Sequence, residues 1–343
     1  METGDELSQK AQLELFNGWL SAESNQSRTV ELFDAIPKYI FDKKAKTTTV
    51  IEAIEREFRF RDVMYSVRIA PANIDRKGKA IGVYPGEREE IVTRTLFYMS
   101  CQQLAKLKLG HDKDGTVQIS ASFTLSQLRK YLSSFGHNYS TPQIDEALRV
   151  CQNASISLSC EGGGKDAVLQ SGIFMSYSGQ NTKSDKTGES SLRYVVFNPL
   201  VTSSILETTS RAINFERVMK LKSPLSRWLY DRVSHVFRQA VKGGSVLDKG
   251  YRISLSTILR ESGFTPDERV RHNVAVVKRA LTELQENGVL ERLKPYKEEI
   301  TYGEVPKTGG RRPLEDVMWT LYPSTVVVEE IISDNKARKA LGQ

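Results

Sequence analysis

Apolar residues recur at helical spacing in two stretches of this chain, and each stretch ends in a run with a period of two. In the first, Ile91, Leu96, Met99 and Leu104 predict a helix from Glu89 to Leu107. Leu125 and Leu128 share one face of a second helix, Ser126 to Phe135, stopped by Gly136. A third starts at Thr141-Pro142 and carries Ile144, Leu148 and Cys151 on one line. Ile156, Leu158 and Cys160 then alternate with serines, Gly162-Gly163-Gly164 turns the chain, and Val168 to Tyr177 returns as a strand. Polar residues Ser178 to Ser190 precede another strand, Tyr194 to Phe197, ended by Asn198-Pro199.

The second stretch repeats this order. Leu225, Leu229, Val233 and Phe237 predict a helix over Pro224 to Arg238, and Leu255 and Ile258 predict one over Ser256 to Ser262, stopped by Gly263. Thr265-Pro266-Asp267-Glu268 has the form of a capping box opening a third helix, whose core line is Val274, Val277, Leu281 and Leu284. Val289 to Leu293 and Val317 to Pro323 predict two strands joined by a basic loop. Arg94-Thr95-Leu96-Phe97 precedes Arg227-Trp228-Leu229-Tyr230 by 133 residues, and Ala147-Leu148 precedes Ala280-Leu281 by the same 133.

Helix, helix, helix and hairpin, given twice, predict an α+β chain of tandem winged-helix domains, each a helix-turn-helix with a β-hairpin wing, behind a largely flexible N-terminal tail. The boundaries expected are 1–45 for the tail, 46–205 and 206–330 for the two domains, and 331–343 for a C-terminal tail. In the second unit, Arg271, His272 and Arg279 lie away from the apolar line of the third helix, the element that a helix-turn-helix presents to base edges. Arg269 and Lys278 join them as candidate DNA contacts, and Lys294, Lys297, Arg311 and Arg312 on the hairpin are candidates for phosphates. A solvated charged face and a solvated loop are the competing readings. In the first unit, Asp145 and Glu146 stand beside Arg149 on the matching helix, where carboxylates would repel phosphates. That unit is expected to touch DNA through its hairpin and loops, or to serve as a dimerisation surface.

Charge sharpens the asymmetry. The chain has a formal net charge of +7, and residues 211–323 alone carry 21 basic against 14 acidic side chains. Three cysteines without a C-x-x-C spacing and four scattered histidines argue against a disulfide framework and a metal site. Gly162-Gly163-Gly164-Lys165 lacks the spacing of a phosphate-binding loop, and without paired histidines a metal-dependent replication nuclease is disfavoured. No catalytic centre and no cofactor are expected. The opening METGDELSQK has no signal-peptide pattern, and no apolar run reaches the roughly 18 residues of a membrane span, so a cytoplasmic protein with no membrane partner is expected.

Residues 1–75 differ in kind. Gln12-Leu13-Glu14-Leu15-Phe16 is short and amphipathic, fit either for a small helix or for insertion into an apolar groove on a partner. Val50 to Val67, with Arg56, Arg59 and Arg61, predicts a helix followed by a strand attached to the first unit.

The pentapeptide, the segment Ala80-Ile81-Gly82-Val83-Tyr84-Pro85-Gly86 with the helix after it, and Lys220 to Tyr230 together resemble plasmid replication initiators of the TrfA type, within the class built from two winged-helix domains. The resemblance covers most of residues 75–325. It implies binding to directly repeated origin sites in double-stranded DNA, opening of an adjacent AT-rich stretch, and recruitment of the host's sliding clamp, replicative helicase and chromosomal initiator. Gln12, Leu13, Leu15 and Phe16 would be the clamp contacts. The family's replication-inactive dimers make a homodimer a further expectation. A dimeric winged-helix repressor on inverted repeats is the alternative function.

Overall fold

The computed structural model describes residues 26–29, 31–41, 47–48, 52–60, 63–76, 78–102, 106–111, 115, 117–160, 169–179, 192–206, 211–237, 249–304 and 312–340. The chain is α+β, its sheets are open, and it divides into two units, Met1–Ser210 with Asn214–Glu216, and Arg211–Ile213 with Arg217–Gln343.

The principal elements of the first unit are α1 (Glu31–Ala35), β1 (Ile54–Phe60), β2 (Val63–Ala70), β3 (Ala72–Arg76), β4 (Lys79–Val83), α2 (Glu87–Cys101), β5 (Lys106–His111), β6 (Val117–Thr124), α3 (Leu125–Ser134), α4 (Thr141–Asn153), β7 (Ser155–Cys160), β8 (Leu169–Ser171), β9 (Phe174–Gly179) and β10 (Leu192–Phe197). The helices start where the sequence can satisfy their free N–H groups. Thr124 and Gln127 form a reciprocal cap on α3, Ser140 and Gln143 another on α4, and Gly136 takes a φ of 86° after α3.

Several expectations change here. The helix expected to reach Leu107 ends at Cys101, because Lys106-Leu107-Lys108-Leu109 alternates with a period of two and forms the edge strand β5 instead. The helix expected after Val50 is absent from the described residues: Ile54–Phe60 pairs with Val63–Ala70 as a hairpin, with Phe58, Val67 and Ile69 buried. The returning strand expected from Val168 to Tyr177 is split between sheets, β8 pairing with β7 and β9 with β10. At the switch, the Gly172 carbonyl accepts from Asn198 Nδ2 at 2.8 Å, and a Cβ on Gly172 would lie 2.5 Å from the Gln152 carbonyl oxygen. Within the span expected as a tail through residue 45, residues 31–41 pack against the first unit. Phe33, Ile36 and Ile40 are buried, Phe33 meets Phe97 edge-on at 6.4 Å, and the Ile40 amide donates to the Pro85 carbonyl at 2.7 Å. Arg56 holds the same segment by donating to the carbonyls of Pro37 and Tyr39, and burial lowers its pKa to about 10.

The second unit contains α5 (Pro224–Val236), β11 (Tyr251–Ser254), α6 (Leu255–Glu261), α7 (Val270–Glu286), β12 (Tyr296–Tyr302), β13 (Leu314–Leu321) and α8 (Thr325–Ala340). Helix, strand, helix, helix, strand, strand is a winged-helix-like order, with β13 central in the sheet β11-β13-β12. Leu229 and Val233 of α5, Ile258 of α6, Val277, Leu281 and Leu284 of α7, and Val317 and Trp319 of β13 close one core. The apolar lines that predicted these helices are the lines that meet. Only an isolated bridge, Leu290 to Pro323, forms within the strand expected over Val289 to Leu293, and Leu293 is almost fully exposed on a turn. Helix α8 runs past residue 330, the boundary expected for a C-terminal tail, because Val327 and Ile331 belong to the core and Glu330 receives both ends of the Arg217 guanidinium at 2.6 and 3.0 Å.

Candidate nucleic-acid interface

The candidate interface is built on α7. Its start differs from the capping box expected at Thr265, since the helix begins at Val270 and Arg269 occupies the cap position without a side-chain bond. Residues 264–269 stay out of the helix, held by Asn273, which is buried in the first turn. Its Oδ1 accepts the Asp267 amide at 2.8 Å, its Nδ2 donates to the Asp267 carbonyl at 2.9 Å, and Asp267 Oδ1 accepts the Arg269 amide. At the other end, Glu283 reaches across to α5, accepting from the amides of Lys222 and Ser223 and from Ser226 Oγ at 2.6 Å. Ser223, the cap residue of α5, makes no side-chain cap bond, and the α7 carboxylate instead pins the chain entering α5 to α7, where negative charge is favourable.

With Asn273, Val277, Ala280, Leu281 and Leu284 turned inward, the opposite side of α7 carries Arg271, His272, Ala275, Arg279 and Thr282, all exposed. The side chains of Arg269, Arg271, His272 and Arg279 make no hydrogen bond or ion pair among the described residues. Four donor-rich groups thus stand on one face and its N-terminal approach, available to an anion.

Lys278 does not belong with them. Its ammonium lies 2.9 Å from Glu298 Oε1 on β12, and Glu298 Oε2 accepts the Trp319 indole N–H at 3.1 Å. The hairpin residues also separate. Lys294 is exposed on the turn before β12, Lys297 is exposed with its ammonium 5.8 Å from the Tyr322 ring centroid, and Arg312 is exposed at the start of the chain leading into β13. Arg311 and the hairpin tip lie outside the described residues, as do Gln12, Leu13, Leu15 and Phe16.

In the first unit the corresponding helix, α4, is electrically closed. Glu146 accepts from Arg76 and Arg88, while Asp145 accepts from Arg149 at 2.9 Å and from the Tyr177 hydroxyl at 2.6 Å. Burial, reinforced by the bond to Asp145, raises the Tyr177 pKa and keeps that proton in place. Burial opposes ionisation of Glu146, but the bonds from the two arginines outweigh it and hold its carboxyl below the usual range. Both acids are therefore already partnered by cations or a hydroxyl of the same unit. Exposed cations without a side-chain partner among the described residues sit elsewhere in this unit, at Lys106 and Lys108 on β5 and Arg129 and Lys130 on α3. Sequence reading passed over all four; the period-two run at 106–109 was the available signal. Among the described residues, no group of three His, Cys, Asp or Glu side chains is placed to hold a metal ion, and no helix is long and apolar enough to cross a membrane.

No protein-family model and no curated protein matches this sequence. Solved structures do. The fold resembles that of domains 2 and 3 of RctB. A crystal structure of the selenomethionine derivative of those domains aligns with a TM-score of 0.50 at 12% identity, covering 86% of this chain and 98% of that one. A second crystal structure of the same domains gives a TM-score of 0.47 at 12% identity, covering 88% and 99%. At this identity the likeness is one of fold.

Proposed function

We propose that the chain is a sequence-specific DNA-binding replication initiator of the TrfA type, built from tandem winged-helix domains that bind directly repeated origin sites. The observation carrying this reading is the outward side of α7, where Arg271, His272 and Arg279 are exposed and without a side-chain partner among the described residues, next to a β-hairpin with further exposed cations at Lys294, Lys297 and Arg312. Side chains at the start of such a helix read base edges, and hairpin cations neutralise phosphates and fix register. The first unit, its α4 acids already occupied, contacts the backbone through other surfaces or pairs with a second copy. Opening of an adjacent AT-rich stretch follows if the distorted duplex makes more contacts than the straight one. Gln12, Leu13, Leu15 and Phe16 engage the host's sliding clamp, and the replicative helicase and chromosomal initiator supply the remaining enzymes. No step requires covalent chemistry from this chain.

An origin-dependent replication assay, with the chain added or withheld, tests the proposal. Copying only in its presence, together with protection of direct repeats, supports it. Binding to inverted repeats with repression and no copying would replace it with the repressor reading.

A further inference from the structure

Lys278 lies seven residues beyond Arg271, so it falls roughly 20° from it around α7, at the edge of the outward face. Released, its ammonium would add a cation to that face. It is held instead by Glu298, and Glu298 is itself fixed. The residue stands opposite Trp319 in the β12–β13 register, and its second oxygen accepts a hydrogen bond from the indole N–H of that fully buried ring. A carboxylate anchored at one oxygen cannot follow a lysine outward. The pair is partly exposed, with side-chain exposures of 44% for Lys278 and 19% for Glu298, so an ammonium freed from Glu298 would stand in reach of a phosphate.

We propose that Glu298 is a specificity-determining residue, which withholds Lys278 from the DNA backbone. The inference rests on the reading of α7 as the DNA-contacting helix. In a non-specific complex the protein settles wherever its cations find phosphates, and each one engaged steepens the salt dependence. In the register set by base contacts from Arg271 and Arg279, Lys278 remains on Glu298. Holding it there weakens binding to wrong sequences while leaving the right one unchanged, which is discrimination by withheld attraction.

The test uses the full chain with Glu298→Gln, Lys278→Met and the double variant, titrated with salt from about 50 to about 200 mM on duplex carrying the direct repeats and on a scrambled duplex. The side-chain amide introduced by Glu298→Gln still offers an oxygen to the Trp319 indole but cannot form an ion pair with an ammonium. Glu298→Gln is expected to steepen the slope on scrambled DNA by about 0.9, an extra gain of about 3.5-fold at the low-salt end, with specific affinity unchanged. Lys278→Met should keep the wild-type slope, and the double variant should lose the gain. The proposal is overturned by an unchanged slope in folded Glu298→Gln, by a gain that survives in the double variant, or by a shallower slope in Lys278→Met. Circular dichroism reports folding; if Glu298→Gln does not fold, the Lys278→Met slope decides. A wild-type chain that binds neither duplex at low salt overturns the reading of α7 as well, which separates the two failures.

Discussion

Arg76 and Glu146 meet at two points across 70 residues of sequence, Nη2 to Oε1 at 2.8 Å and Nε to Oε2 at 3.2 Å, and Arg88 adds a third bond to the same carboxylate at 2.9 Å. The contact ties α4 to the β3–β4 hairpin and to α2. Because the carboxyl is held below its usual range, its contribution to stability is complete above the ordinary carboxylate pKa near 4.3 and is lost as pH falls through the lowered folded value. Glu146→Gln should lower the thermal midpoint at neutral pH and flatten its decline between about pH 5 and about pH 3. An unchanged acid profile would show that the contact adds nothing.

Arg271→Ala and Arg279→Ala should each weaken binding to the direct repeats by about 1–3 kcal/mol, with little effect on the thermal midpoint because both side chains are exposed. A mobility-shift titration checks this. Wild-type affinity in both variants would remove α7 from the interface.

Charge reversal at Arg311 and Arg312 acts on phosphates rather than bases. It should weaken binding to all sequences alike and make the salt dependence shallower by about two. A retained slope with weakened specific binding would assign the hairpin a different role.

Leu15→Ala combined with Phe16→Ala should abolish capture by immobilised sliding clamp and leave duplex binding intact, since the apolar anchors of a short motif dominate its affinity. Undiminished capture would place the clamp contact elsewhere in the chain.

Much of the second unit was legible in sequence because its apolar lines have single helical periods and its stops are glycines. Gly263, with a φ of 75°, follows the helix whose core contacts are Leu255 and Ile258, as the pattern implied. The start of α7 was not legible, because the capping pattern at Thr265 competes with a side chain, Asn273, that engages Asp267 only once the turn is closed. The Lys106–Leu109 alternation was available but stood at the end of a helical pattern that masked it.

Which residues face a core and where the excess positive charge lies can be read along the chain, since periodicity and charge are properties of neighbours in sequence. Which charges remain available depends on the folded arrangement. Arg271 and Arg279 keep theirs exposed, while Lys278 is taken by Glu298 20 positions away, Glu146 by Arg76 70 positions away, and Asp145 by Tyr177 32 positions away as well as by Arg149 on its own helix. Electrostatic attraction acts through space and is strong only at contact distance, so the identity of a charged side chain does not reveal whether a partner has already claimed it.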